Sequence, residues 1–161
     1  GYDLVLTYRM GDTNLDLAMN HNETKMVEHR KIGPDQLDPI STGLIDNIEN
    51  NLPKDRITAT VTQNFGDALS LMVRLNNYSE TLDERGTLGD DKSTVDAISF
   101  IDVELSYAVS NNLNVVFGAN NVTNAYPNEI DTRASQGMPY PRRSPLGYHG
   151  GMTYIRLMYD F

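Results

Sequence analysis

The chain has 161 residues, a formal net charge of -9, 39% hydrophobic residues and no cysteine. That length suits one domain. The lack of cysteine excludes a disulfide framework, a zinc–thiolate site and a thiol nucleophile, and the acidic balance argues against nucleic acid, whose phosphates call for clustered Lys and Arg. No run approaches the ~20 apolar residues of a membrane helix, and Gly1-Tyr2-Asp3-Leu4-Val5 lacks the basic and apolar regions of a signal peptide.

Alternation with period two begins at once. In the first segment Leu4, Leu6, Tyr8 and Met10 alternate with Asp3, Val5, Thr7 and Arg9. Gly11-Asp12 breaks the pattern as a tight turn. The second segment sets Leu15, Leu17 and Met19 against Asn14, Asp16, Ala18 and Asn20. Residues 24 to 53 show no period and hold Gly33-Pro34, Asp38-Pro39, Gly43 and Pro53, so a long loop is expected, with room for a short helical turn between 40 and 50. Ile57, Ala59 and Val61 then alternate with Thr58, Thr60 and Thr62, and Gly66-Asp67 forms the next turn. Leu69, Leu71, Val73 and Leu75 follow against Ser70, Met72, Arg74 and Asn76.

A second long loop is expected over about residues 80 to 97. The acidic residues between apolar runs (Asp35, Asp38, Asp46, Glu49, Asp83, Glu84, Asp90 and Asp91) read as solvated loop charges. Ile101, Val103, Leu105 and Tyr107 next oppose Asp102, Glu104, Ser106 and Ala108, and Ser110-Asn111-Asn112 makes a short turn. Leu113, Val115, Phe117 and Ala119 oppose Asn114, Val116, Gly118 and Asn120. A third long loop, about 121 to 148, is rich in Pro, Gly, Tyr and Arg. The last segment sets Ile155, Leu157, Tyr159 and Phe161 against Tyr154, Arg156, Met158 and Asp160.

Seven antiparallel strands in an up-and-down meander are therefore expected. Their alternating runs extend over about 9 to 12 residues, whereas soluble strands cluster near about 5 or 6 and a tilted membrane strand needs about 9 to 11. Tight turns and long loops alternate strictly, which places all turns at one end of the sheet and all long loops at the other, as in outer-membrane barrels. One face carries no charge on any strand. The other carries Asp3, Arg9, Asp16, Arg74, Asp102, Glu104 and Arg156. These features together point to an all-β, antiparallel transmembrane barrel. Seven strands do not close such a barrel, whose strand count is even and whose edges must be paired. The expectation is a fragment of a larger barrel whose earlier strands are absent.

Two stretches carry a family resemblance. Phe117-Gly118-Ala119-Asn120-Asn121-Val122-Thr123-Asn124-Ala125-Tyr126-Pro127 resembles the penultimate strand of TonB-dependent receptors. Gly151-Met152-Thr153-Tyr154-Ile155-Arg156-Leu157-Met158-Tyr159-Asp160-Phe161 resembles the terminal strand of outer-membrane proteins, where Tyr159 and Phe161 match the aromatic pair read by the barrel-assembly machinery. Arg156 departs from that signal, which often has Gly there. The resemblance implies that residues 1–161 are the C-terminal part of a plugged barrel of roughly 22 strands, with the plug domain and the TonB-contacting segment absent. It implies active uptake, across the bacterial outer membrane, of a small-molecule ligand such as a ferric siderophore, driven by the TonB complex. A porin-like, structural or adhesion barrel is the alternative, and a soluble β-sandwich binding module is a third reading.

Asp102 and Glu104, with Arg74 and Asn76 on the neighbouring strand, are candidates for a polar lumen wall that faces the plug or guides ligand. Two carboxylates two residues apart suit acid/base work, but no nucleophile or His accompanies them, so no enzyme activity and no cofactor are expected. His21, His29 and His149 are scattered and show no metal-ligand spacing. Tyr126, Arg133, Tyr140, Arg142, Arg143 and Tyr148 in the third loop are the ligand-contact candidates, since Arg with Tyr suits anionic or aromatic ligands. Asn22-Glu23-Thr24, Asn77-Tyr78-Ser79 and Asn121-Val122-Thr123 match the glycosylation sequon, which has no meaning in a bacterial outer-membrane protein.

Overall fold

The structure, a computed structural model, describes residues 1–35, 37–86, 88, 91–130, 137 and 139–161. Its strands are β1 (Tyr2–Met10), β2 (Thr13–His21), β3 (Asp55–Phe65), β4 (Leu69–Tyr78), β5 (Thr81–Glu84), β6 (Lys92–Val95), β7 (Ile98–Ala108), β8 (Leu113–Asn120) and β9 (Met152–Tyr159), with a helix α1 (Thr42–Asn50) between β2 and β3. One seven-stranded antiparallel sheet has the order β1-β2-β3-β4-β7-β8-β9. Every strand in it pairs with its neighbour in the chain, apart from the excursion through β5 and β6. The expected meander is what forms.

Register follows from the turns. Gly11 opens a two-residue loop between Met10 and Thr13 and Gly66 a three-residue loop between Phe65 and Leu69, and they sit at φ 57° and 66°, the left-handed region that glycine enters without penalty. The resulting pairing lines up Leu6, Leu17, Ala59, Leu75 and Ile101 across five strands. One residue along, Thr7, Asp16, Thr60, Arg74 and Asp102 line up on the other face. Because side chains alternate strictly, a one-residue slip would exchange the two faces on every strand.

The molecule has almost no apolar core. Among the described residues only Val95, Val116 and Ile130 are buried hydrophobics, while Asn76, Thr81, Asp83, Glu84 and Asn121 are buried polar groups. The aliphatic side chains instead stand exposed on the charge-free face, Leu157 at 69% and Leu6 at 56%. A β-sandwich would bury such a face against a second sheet. The seven strands form one sheet, so the sandwich reading does not describe this fold.

The long loops depart from expectation in one place. The second loop carries the β5–β6 hairpin, in which Thr81 opposes Val95 and Glu84 opposes Lys92. Charged residues at 83, 84 and 92 had masked this short alternation. Asp83 and Glu84 are not solvated: each is 1% exposed. Asp90 lies outside the described residues. The helical turn expected between 40 and 50 is α1. Its N-cap is Ser41, whose Oγ accepts from the Leu44 backbone N–H at 3.2 Å, satisfying one of the donors a helix start leaves free. Gly43 lets α1 approach the hairpin closely, since a Cβ there would lie 2.0 Å from the Gly86 carbonyl oxygen.

Candidate functional site

The charged face of the sheet is a continuous wall of hydrogen bonds. Asn20 donates to Asp3 at 2.6 Å and Thr7 to Asp16 at 2.7 Å. Arg74 and Asp102 are direct cross-strand partners, though the Arg74 Nε donates to Thr60 Oγ1 at 3.4 Å. Asp102 accepts from Asn76 Nδ2 at 2.9 Å and, with its other oxygen, from the Asn121 backbone N–H at 2.8 Å. Glu104 accepts from the Tyr154 hydroxyl at 2.6 Å and from Arg156 Nη2 at 2.7 Å. Of the four wall candidates, Asn76 and Asp102 thus meet directly, and Arg74 and Glu104 turn to other partners on the same wall.

Gly118 makes the second cluster fit. It lies between Glu104 and Tyr154 in the register, and a Cβ there would fall 2.0 Å from Tyr154 Cζ. The tyrosine ring covers the glycine and reaches Glu104 two strands away. Arg156 stacks over the same ring at 5.6 Å. The residue that departs from the terminal-strand pattern is thus occupied in the wall. Tyr159 and Phe161 meet edge to face at 5.1 Å, and Tyr159 is exposed on the apolar face.

The Asn-Asn stretch fastens the root of the third loop. Asn121 and Asn124 both adopt φ 51°, a left-handed conformation that asparagine tolerates better than most residues. The buried Asn121 side chain accepts from the Ala125 N–H and donates to the Ala125 carbonyl. Asn124 Oδ1 accepts from the Gly151 N–H at 2.9 Å, joining the loop's start to its end. Asp102 therefore also anchors this loop through Asn121, a role that period-two reading cannot reveal.

The ligand-contact candidates divide into two groups. Tyr126, Tyr140 and Tyr148 form a stacked column with centroid spacings of 6.0 and 5.9 Å, and the Tyr148 hydroxyl donates to the Pro141 carbonyl at 2.6 Å. Arg142 and Arg143 instead hold a clasp between the loops. Arg142 Nη2 donates to Asp83 at 3.0 Å, and Arg85 Nε donates to the same carboxylate at 3.0 Å. Arg143 Nη1 donates to Asn47 Oδ1 at 2.7 Å, and Asn47 Nδ2 donates to the Glu84 carbonyl at 2.7 Å. Burial pushes the Asp83 carboxyl upward, but hydrogen bonds and charge from Arg142 and Arg85 together outweigh it and hold it below the usual range. Arg133 lies outside the described residues.

Asn47, Asp83 and Glu84 were not singled out from the sequence as site residues. The available signal was an asparagine inside a helix, where it is a poor former and calls for a tertiary partner. Two of the scattered histidines bond carboxylates: His21 Nδ1 lies 2.7 Å from Asp55 and His29 Nε2 lies 2.6 Å from Asp38. The bond from His29 and one from the Ile40 N–H lower the Asp38 pKa. Among the described residues no group of His, Asp and Glu could hold a metal ion.

One charged, hydrogen-bonded face, one apolar exposed face and all long loops gathered at one end define a section of an antiparallel β-barrel wall. Solved structures make the likeness specific. The chain is similar to the FrpB iron transporter from Neisseria meningitidis, at 16% identity and a TM-score of 0.64 over 99% of this chain and 22% of that one. It is similar to the siderophore receptor PirA from Acinetobacter baumannii, at 16% identity and 0.61 over 99% and 21%. The pyoverdine outer membrane receptor FpvA from Pseudomonas aeruginosa matches at 13% identity and 0.52 over 99% and 29%. The chain thus spans about a fifth to under a third of the length of these receptors. No protein-family model and no curated protein matches the sequence. The likeness is one of fold, and it agrees with the resemblance to the barrel of TonB-dependent receptors carried by the last two strands.

Proposed function

We propose that this chain is the C-terminal barrel section of an outer-membrane receptor that takes up a ferric siderophore or a similarly scarce nutrient. Energy would come from the TonB complex through an N-terminal plug region, and the section has no enzymatic role. The observation that carries this reading is the seven-strand meander, apolar on one face and hydrogen-bonded on the other, superimposable on iron and siderophore receptors over 99% of its length. The apolar face would meet membrane lipid, and Tyr159 with Phe161 would be read by the barrel-assembly machinery. The polar wall around Arg74, Asn76, Asp102 and Glu104 would face the plug. The long-loop end would face outside the cell, where the Tyr126–Tyr140–Tyr148 column offers aromatic contacts to ligand.

The porin-like alternative predicts passive, energy-independent permeation. The intact protein, produced in iron-starved cells that lack other siderophore receptors, separates the two. Radioiron uptake from at least one ferric siderophore is expected, abolished without TonB and reduced by Tyr140→Ala. Diffusion of small solutes that persists without TonB, with no ferric siderophore taken up, would overturn the receptor reading.

A further inference from the structure

The strongest feature outside the wall and the clasp is the segment that follows β2. In a chain of net charge -9, most described cations are engaged. Lys54, Arg85, Lys92, Arg142 and Arg156 form ion pairs, Arg74 and Arg143 donate hydrogen bonds, and Arg56 lies over the Tyr78 ring. Among the described residues, four cations have no hydrogen bond, ion pair or ring contact. One is Arg9. The other three, Lys25, Arg30 and Lys31, fall within seven consecutive residues and are exposed.

The same segment exposes its aliphatic residues. Val27 is 93% exposed and Ile32 60%. Its one carboxylate is Glu28, and His29 is engaged by Asp38. A polar loop in water gains nothing from bare aliphatics between exposed cations. At the boundary between headgroups and acyl chains both are satisfied: cations meet anionic groups while aliphatics enter the apolar zone.

Position agrees with composition. The apolar column Leu15, Leu17 and Met19 ends at His21, which stacks on Tyr2 at 5.0 Å and bonds Asp55. An aromatic–polar rim of this kind marks the membrane boundary of a barrel. The segment is tethered at that rim by the Asn22 N–H to the Lys54 carbonyl at 2.8 Å, by the Lys54–Glu23 pair at 3.2 Å and by the Met26 N–H to Glu49 at 2.9 Å. Lys25 is four residues beyond His21, a reach of at most ~14 Å, close to the headgroup layer.

We propose that residues 25–32 form a foot resting on the outer leaflet, in which Lys25, Arg30 and Lys31 hold phosphate groups of lipid headgroups while Val27 and Ile32 enter the acyl boundary. This rests on the membrane-barrel reading above.

The test labels the intact protein with an environment-sensitive fluorophore at Val27→Cys, the chain itself having no cysteine, and in a second preparation at Leu157→Cys on the apolar face. Each is reconstituted into phosphatidylcholine vesicles with and without phosphatidylglycerol. The Leu157 label is expected to report an apolar setting in both. The Val27 label is expected to shift to the blue only with phosphatidylglycerol, and to lose that shift in high salt. Each cation adds about five-fold to such partitioning, so Lys25→Glu/Arg30→Glu/Lys31→Glu is expected to abolish the shift without moving the Leu157 signal. A Val27 label equally wet in both lipids would overturn the foot alone. So would a label equally dry in both, which would mean that protein covers the segment. A wet Leu157 label would overturn the barrel reading and the foot with it.

Discussion

Tyr154 occupies its place because residue 118 has no side chain. The Gly118→Ala methyl would lie 2.0 Å from Tyr154 Cζ, so the ring must leave and its hydrogen bond to Glu104 must break. The expected cost is about 1–3 kcal/mol, the range for overpacking. On a Tyr154→Ala background the same change should cost less by more than about 0.5 kcal/mol, the margin that marks coupling. Denaturant unfolding of the intact protein in lipid checks this, and equal costs in both backgrounds would refute the contact. Alternation alone placed Tyr154 and Arg156 on the charged face. It did not show that both reach Glu104, because that contact spans β8 and depends on register. For the same reason Asp102 was legible as a wall residue but not as the acceptor for the Asn121 N–H.

Between elements, the clasp joins α1, the β5–β6 hairpin and the third loop. Asp83 is nine-tenths hidden and more, yet it meets Arg142 from 59 positions along the chain. In the sequence it is one of several loop acids that read as solvated, since no local pattern announces a partner so far away. The Asp83 pKa is lowered in the folded state. The stabilisation it supplies is therefore complete above the unfolded value of about 3.9 and fades as pH falls through the depressed folded value. A carbon NMR titration of the Asp83 carboxylate should give a midpoint below about 3.9. Arg142→Ala should raise that midpoint, because burial then opposes Arg85 alone, and should loosen the clasp by about 1–3 kcal/mol, below the roughly 3–5 kcal/mol of a fully buried pair because the arginine is half exposed. A midpoint unchanged by the substitution would show that the pairing is absent in solution.

For the whole molecule, the segregation of faces sets the medium each one tolerates. Val73 and Met72 are adjacent on β4 and point to opposite faces. Val73→Lys would put an ammonium on the apolar face and is expected to cost about 2–4 kcal/mol in a bilayer. Met72→Lys would place the same charge opposite Glu104 and is expected to cost under about 1 kcal/mol. Guanidinium unfolding of the intact protein in phospholipid vesicles measures both, and equal losses would mean that the apolar face does not meet lipid. Strands, turns and faces were legible because they follow from period two and from glycine and aspartate at the turns. Loop architecture was not, because it rests on contacts between segments that no local period records.

The clasp also bears on how such a protein can be inherited. Surface loops usually vary more freely than the elements they connect, each drifting independently of its neighbours. Here a recombination event that imported residues 79–97 without residues 141–143 would deliver a buried carboxylate deprived of Arg142, and one that replaced 42–50 alone would deprive Arg143 of Asn47. The three segments are therefore expected to travel as a linked set, so that variation proceeds by replacement of the whole cap.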